Sequence, residues 1–262
     1  MPTSSTSTSI LADAQLDRYA RHIVLKEIGG AGQQRLLRAT VAVIGAGGIG
    51  SPVIQYLAAA GVGTLRVIDA DTVSLGNLQR QLLFGTQDVG RAKIEAAADR
   101  VAEINPDVRF EAKGERLTGD NAAALLAGAD VVVDGSDNFA TRLAVSDQCT
   151  RARIPLVSAA IGQFQAQIGT WRGWVPGRPC YRCFVGDAFD AEDCDTCSDL
   201  GVLGAMVGLA GSWAAMEAVR AIVPFGEDPG GKLHIVDGLK PGLRTLRVTK
   251  DPACTGCGGT AA

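Results

Sequence analysis

Thr40-Val-Ala-Val-Ile44 runs straight into Gly45-Ala-Gly-Gly-Ile-Gly50, and apolar spacing of helical type continues to about Ala60. A β-rich apolar run, a glycine-dense turn and a helix start form one βα unit. Glycines let the backbone turn tightly and approach a charged ligand, and the helix N-terminus favours negative charge there. Leu65–Ile68 reads as the next strand, and Asp69 stands at its end, 19 residues beyond Gly50. A carboxylate at that place can accept hydrogen bonds from ribose hydroxyls. Strand, loop, helix and acid together point to a nucleotide. They do not choose between NAD and ATP.

The same alternation extends along the chain. Leu11–Leu37 reads as mostly helical. Arg91–Glu103 has helical spacing, closed by Asn105-Pro106; Arg109–Gly114 reads as a strand and Asn121–Ala127 as a short helix. Val131–Val133 is a buried strand, Thr141–Ala152 the helix after it, and Ile154–Ser158 another strand. This rhythm predicts an α/β fold: a mostly parallel sheet with helices on both faces. Gln165–Trp171 and Leu233–Val236 read as later antiparallel strands. Between them lie a polar loop, roughly Gly186 to Asp199, and a glycine-rich apolar helix. With no repeat and no linker, residues 11–262 read as one domain after a tail at 1–10, with the nucleotide-binding part at about 40–160.

Composition narrows the function classes. The 262 residues are 47% hydrophobic with a net charge of −3, enough to bury a large core. An acidic chain argues against a broad nucleic-acid face. The apolar stretch Val202–Val223 is broken by Glu217, Arg220 and glycines, so no segment reads as membrane-spanning. The Ser/Thr-rich start reads as no signal peptide. Seven cysteines without a secretory leader point to a reducing compartment such as the cytoplasm, and to metal or thiol chemistry.

The segment Asp69-Ala-Asp-Thr-Val-Ser-Leu-Gly-Asn-Leu-Gln-Arg-Gln81 pushes towards ATP. An NAD enzyme has no obvious use for Asn77 and Arg80, whereas Arg80 and Lys93 can neutralise a polyphosphate in a transition state. The bland alternative is that each is a solvated surface residue. Asp134-Gly-Ser-Asp137-Asn138 follows the strand Val131–Val133, at the kind of strand end where open α/β sheets bind ligands. A carboxylate there can hold Mg²⁺. Equally, the segment can serve as a helix cap before Thr141, a role Asn138 fits.

Cys180-x-x-Cys183 and Cys254-x-x-Cys257 lie 70 residues apart. Two such pairs complete a tetrahedral four-thiolate zinc site, closed and therefore structural; redox dithiols are the alternative. Cys194-x-x-Cys197 is a third pair in an acidic stretch. Nearby carboxylates disfavour a thiolate, so Cys197 reads chemically as an unactivated thiol, though this pair competes for the metal. Cys149 reads as core.

These residues together resemble the MoeB/ThiF/HesA sulfur-carrier adenylyltransferases, relatives of the ubiquitin-activating enzymes. The likeness covers Leu16 to Cys257 and rests on Arg18-Tyr-Ala-Arg21-His-Ile23, Gly45–Gly50, Asp69–Gln81, Gly90-Arg-Ala-Lys93, Asp134–Asn138, Pro179–Cys183, Gly201-Val-Leu-Gly204 and the last Cys pair. It implies a Rossmann-like adenylation domain, with carrier-binding, crossover-loop and zinc parts at about 161–257. It also implies a reaction: the C-terminal glycine carboxylate of a ubiquitin-like sulfur carrier ending in Gly-Gly attacks the α-phosphate of MgATP.

By that resemblance Gly48, Asp69, Gly76, Asn77, Leu78, Gln79, Arg80, Lys93, Asp137 and Asn138 form the nucleotide site, with Asp137 on Mg²⁺. Cys180, Cys183, Cys254 and Cys257 hold structural Zn²⁺. Arg21 reaches into a neighbouring subunit's site, which implies a homodimer. Cys197 matches a cysteine that some members link covalently to the carrier. Gly76 stands where serine is frequent in the family. The chain ends soon after Cys257 without a rhodanese domain, so the expected sulfur donor is a separate protein. Competing readings are tRNA-directed carboxylate activation on the same fold, an NAD-dependent oxidoreductase, and an inactive scaffold half of an activating heterodimer. The pathway served is not legible.

Overall fold

The computed structural model describes residues 11–186 and 201–258. Two helices, α1 (Asp13–Ile23) and α2 (Gly29–Arg38), precede the first βα unit, β1 (Thr40–Ile44) and α3 (Gly50–Ala59). Then follow β2 (Thr64–Ile68), α4 (Lys93–Ile104), β3 (Arg109–Lys113), α5 (Ala122–Leu126), β4 (Val131–Asp134), α6 (Phe139–Ala152) and β5 (Leu156–Gly162). The remainder is β6 (Gln165–Trp171), α7 (Tyr181–Val185), α8 (Gly204–Ile222), β7 (Lys232–Asp237) and β8 (Gly242–Arg247).

The strands form a sheet in the order β3-β2-β1-β4-β5-β6-β7-β8. Pairing is parallel from β3 to β5 and antiparallel from β5 onward. The predicted parallel sheet and later antiparallel strands are both present. The sequence reading missed β8, and it stopped β5 at Ser158, four residues short of its end.

Apolar residues alternate between the two faces because successive side chains on a strand point opposite ways. Val41, Val43, Val131 and Val133 join α3, α4 and α8 in one core. Ala42, Ile44, Val132 and Leu156 join α5, α6 and α7 in the other. Each fully buried Val, Leu or Ile contributes roughly 1.5–3 kcal/mol. The N-terminal helices are locked by polar contacts as well. The Asn105 Nδ2 group donates to Tyr19 Oη (2.8 Å) and to the Ala58 carbonyl (2.9 Å). The Gln33 amide donates to the Ala60 carbonyl at 2.9 Å.

The sheet's direction of growth reverses between β1 and β4. The chain moves outward through β2 and β3, then returns to lay β4 on the free side of β1, with Ile44 opposite Asp134. Loops leaving the C-terminal ends of these two strands diverge, and the crevice between them is where open α/β sheets bind ligands.

Candidate functional site

That crevice is an open pocket with about 1020 Å³ of empty space, the solvent at its mouth included. Its floor is the glycine turn. Gly45 has φ of +86°, and a Cβ on Gly50 would lie 1.9 Å from the Gly45 carbonyl oxygen. Only glycine lets the loop fold back on itself at both positions.

Asp69 is 8% exposed and organises this loop. Its Oδ2 accepts the Ala46 N–H at 2.7 Å and its Oδ1 the Asp71 N–H at 2.8 Å. Burial pushes its carboxyl above the ordinary range, while Lys93 pulls it back. Lys93 opens α4, is 5% exposed, and sets its Nζ 2.9 Å from Asp71 Oδ2 and 4.0 Å from Asp69 Oδ2. Asp71 was not singled out from the sequence. Its signal was its place three residues beyond the end of β2, two beyond the acid that was chosen.

Gly48, Asp69, Arg80, Lys93, Asp137 and Asn138 all line the pocket, together with Arg116 and Arg142. Gly76, Asn77, Leu78 and Gln79 form a neighbouring turn and are not part of its wall. That turn orients Arg80, whose Nη1 donates to the Gly76 carbonyl at 3.1 Å. A Cβ on Gly76 would meet nothing within 4 Å, so glycine there relieves no crowding. Gln81 also lines the pocket; it is 4% exposed and its Oε1 has no hydrogen-bond partner. An orphaned buried acceptor at a pocket wall fits a ligand that brings a donor. Asn138 caps α6 by accepting the Thr141 N–H at 2.9 Å, and it faces the pocket too. Asp137 is exposed at the pocket wall, so an oxygen-seeking cation fits beside it. Asp134, three residues earlier at the end of β4, is buried, which raises its carboxyl pKa.

Arg21 lies on the exposed face of α1 and takes no part in this wall. Cys194 and Cys197 lie outside the described residues.

The two outer cysteine pairs converge. Cys180, Cys183, Cys254 and Cys257 bring their sulfurs within 4.8 Å of one another. The sulfurs of Cys180 and Cys183 are 3.9 Å apart, those of Cys180 and Cys254 3.6 Å, and those of Cys183 and Cys257 3.4 Å. Four sulfurs bound tetrahedrally at 2.3 Å from zinc would be separated by about 3.8 Å, so the donor set fits that ion. Burial pushes the Cys257 thiol up to about 11 and raises Cys180 further. A bound cation is what makes such thiols anionic. Cys149 is buried core, as read from the sequence.

Sheet order, glycine loop and a pocket of mixed charge at the reversal point define a doubly wound α/β protein built to hold an anionic ligand. Comparison makes this specific. The ThiF family profile matches residues 19–256, and the chain belongs to that family. It is 44% identical over 251 residues to the SAMP-activating enzyme E1 of Haloferax volcanii, covering 96% of this chain and 92% of the relative. It is 42% identical over 247 residues to the sulfur carrier protein adenylyltransferase of Thermus thermophilus, covering 93% and 91%. It is 40% identical over 251 residues to the sulfur carrier protein ThiS adenylyltransferase of Escherichia coli, covering 95% and 98%. The crystal structure of E. coli MccB superposes with a TM-score of 0.80 at 24% identity, over 95% of this chain and 74% of that one, a likeness of fold.

Proposed function

We infer that this protein adenylates the C-terminal carboxylate of a ubiquitin-like sulfur carrier, using ATP and releasing pyrophosphate. The observation that carries the reading is the convergence of Arg80, Lys93 and Asp137 with the glycine loop in one pocket. The high identity to carrier adenylyltransferases supports it.

In the reaction a carboxylate oxygen of the carrier attacks the α-phosphorus. The bond from that phosphorus to the bridging oxygen breaks, and its electron pair leaves with pyrophosphate. A carboxylate is already a nucleophile, so no protein base is required. Positioning and charge neutralisation suffice. Arg80 and Lys93 meet the phosphates, with Lys93 leaving Asp71 to do so. Asp69 holds the glycine loop and presents its remaining lone pairs to the ribose. Asp137 would hold Mg²⁺, which supplies neutralisation of the phosphate oxygens. Gly76 to Gln79 act as the support of Arg80. Zn²⁺ on the four cysteines serves structure alone. A homodimer with Arg21 donated across the interface, a covalent role for Cys197 and a separate sulfur donor extend the same reading.

Carrier-dependent exchange of labelled pyrophosphate into ATP tests it. Arg80→Ala should lower the exchange at least a hundredfold with the fold intact. Absence of exchange with every Gly-Gly-ended carrier of the source organism would overturn the assignment. Tight NAD binding without ATP binding would instead favour an oxidoreductase.

A further inference from the structure

Arg142 lies on the first turns of α6, is 8% exposed, and borders the nucleotide pocket. A buried guanidinium is costly unless its donors are matched. Here Nη2 donates to the Ser136 carbonyl and, at 3.0 Å, to the Ala159 carbonyl on β5. Its charge also offsets the buried carboxylate of Asp134.

These contacts grip the two peptide groups that flank Ser136. The Ser136 N–H donates to Asp134 Oδ1 at 2.9 Å, and the Ser136 carbonyl is held by Arg142. The Ser136 carbonyl and the Asp137 N–H belong to the same planar unit, so fixing one fixes the other. Asp134 is itself locked in β4, opposite Ser158 of β5. The direction in which Asp137 leaves the strand end is thus set by Arg142 bridging the loop to β5.

We propose that Arg142 is a positioning residue that aims Asp137 at the metal ion of the bound nucleotide. This rests on the reading of Asp137 as the metal-holding carboxylate. Lysine keeps a positive charge for Asp134, but its stem is one atom shorter and ends in a rotatable point donor in place of the rigid guanidinium whose Nη2 holds both carbonyls.

The test is calorimetric titration of ATP with and without Mg²⁺ on Arg142→Lys. Metal-free ATP binding should stay within about twofold of wild type, while the gain in affinity given by Mg²⁺ shrinks at least fivefold. The Mg²⁺ concentration that half-saturates pyrophosphate exchange should rise in step. If Arg142→Lys does not fold, the charge-neutral double variant Asp134→Asn/Arg142→Gln is measured the same way and should show the same selective loss. An unchanged Mg²⁺ gain in a folded variant overturns the proposal. So does equal weakening with and without metal, which would make Arg142 a direct nucleotide contact, and so does a wild type that gains nothing from Mg²⁺. The binding arm needs no carrier, so loss of the carrier assignment alone would leave this inference to be judged by itself.

Discussion

Asp69 spends its charge on two backbone N–H groups, inside the protein, next to a buried lysine. Its raised pKa means that the folded chain holds the proton more tightly than the unfolded chain does. Any stability from that proton is present below the unfolded value, near 3.9, and is lost as pH rises through the folded one. Asp69→Asn never ionises. Wild-type stability relative to this variant should therefore fall as pH is raised from about 4 towards neutrality, read by urea denaturation at constant salt. A difference that is flat with pH, or that grows, would contradict the assignment. Residue types were legible at this scale wherever spacing placed them: Gly48, Asp69, Arg80, Lys93, Asp137 and Asn138 meet in one pocket. Asp71, Gln81 and Arg142 carried no such weight, because their roles come from what folds against them. For Asn138 the cap reading is observed, since its side chain caps α6 from a position at the pocket wall.

Helix α8 shows how an element can look different in sequence and in space. Read linearly, Glu217 and Arg220 interrupt an apolar stretch. In the fold, Glu217 is 3% exposed, accepts from Trp213 Nε1 at 3.1 Å, and pairs with Arg220 Nε at 3.0 Å. Arg220 also stacks over Phe225, 4.3 Å from its ring centre. The buried face of α8 is otherwise Met206, Val207 and then alanines and a glycine, and it packs against α3 and the sheet. Among the described residues no helix is long and apolar enough to cross a membrane. Removing one partner of a buried pair costs more than the pair is worth, because a charge is left uncompensated. Arg220→Ala should therefore destabilise by about 3 kcal/mol, and Glu217→Gln/Arg220→Met by clearly less. Equal losses in thermal and denaturant unfolding would show that the pair has no such coupling. Strand β8 escaped detection for a related reason. Gly-Leu-Arg-Thr-Leu-Arg is exposed throughout and sits at the sheet edge, so burial imposes no alternation that a sequence reading can find.

Across the whole molecule, the cysteine cluster ties residues from opposite ends of the last third of the chain. It joins the N-terminal edge of α7 to the segment after β8. In zinc-finger peptides such a site contributes roughly 10–16 kcal/mol, so part of that free energy is expected to hold this segment. Metal analysis should find one zinc per chain. Cys254→Ser should release it, lower the thermal midpoint and open the residues beyond Val248 to protease, while Cys194→Ser should keep the metal. The reverse pattern would move the site to the third cysteine pair.

By itself, the sequence determined the alternation of β and α, the glycine loop and the two cysteine pairs. Each of these is written in local spacing, where periodicity and residue chemistry act over a few positions. Only the tertiary structure decided that the chain doubles back between β1 and β4, that Asp134 faces Ile44, and that Arg142 reaches over Ser136 to β5. Those contacts join residues far apart in the chain, and they exist because burying both faces of the sheet leaves one crevice where the strand order reverses. The run from Asp69 to Gln81 thus split in two: its acids and Arg80 line that crevice, and the turn between them holds Arg80 in place.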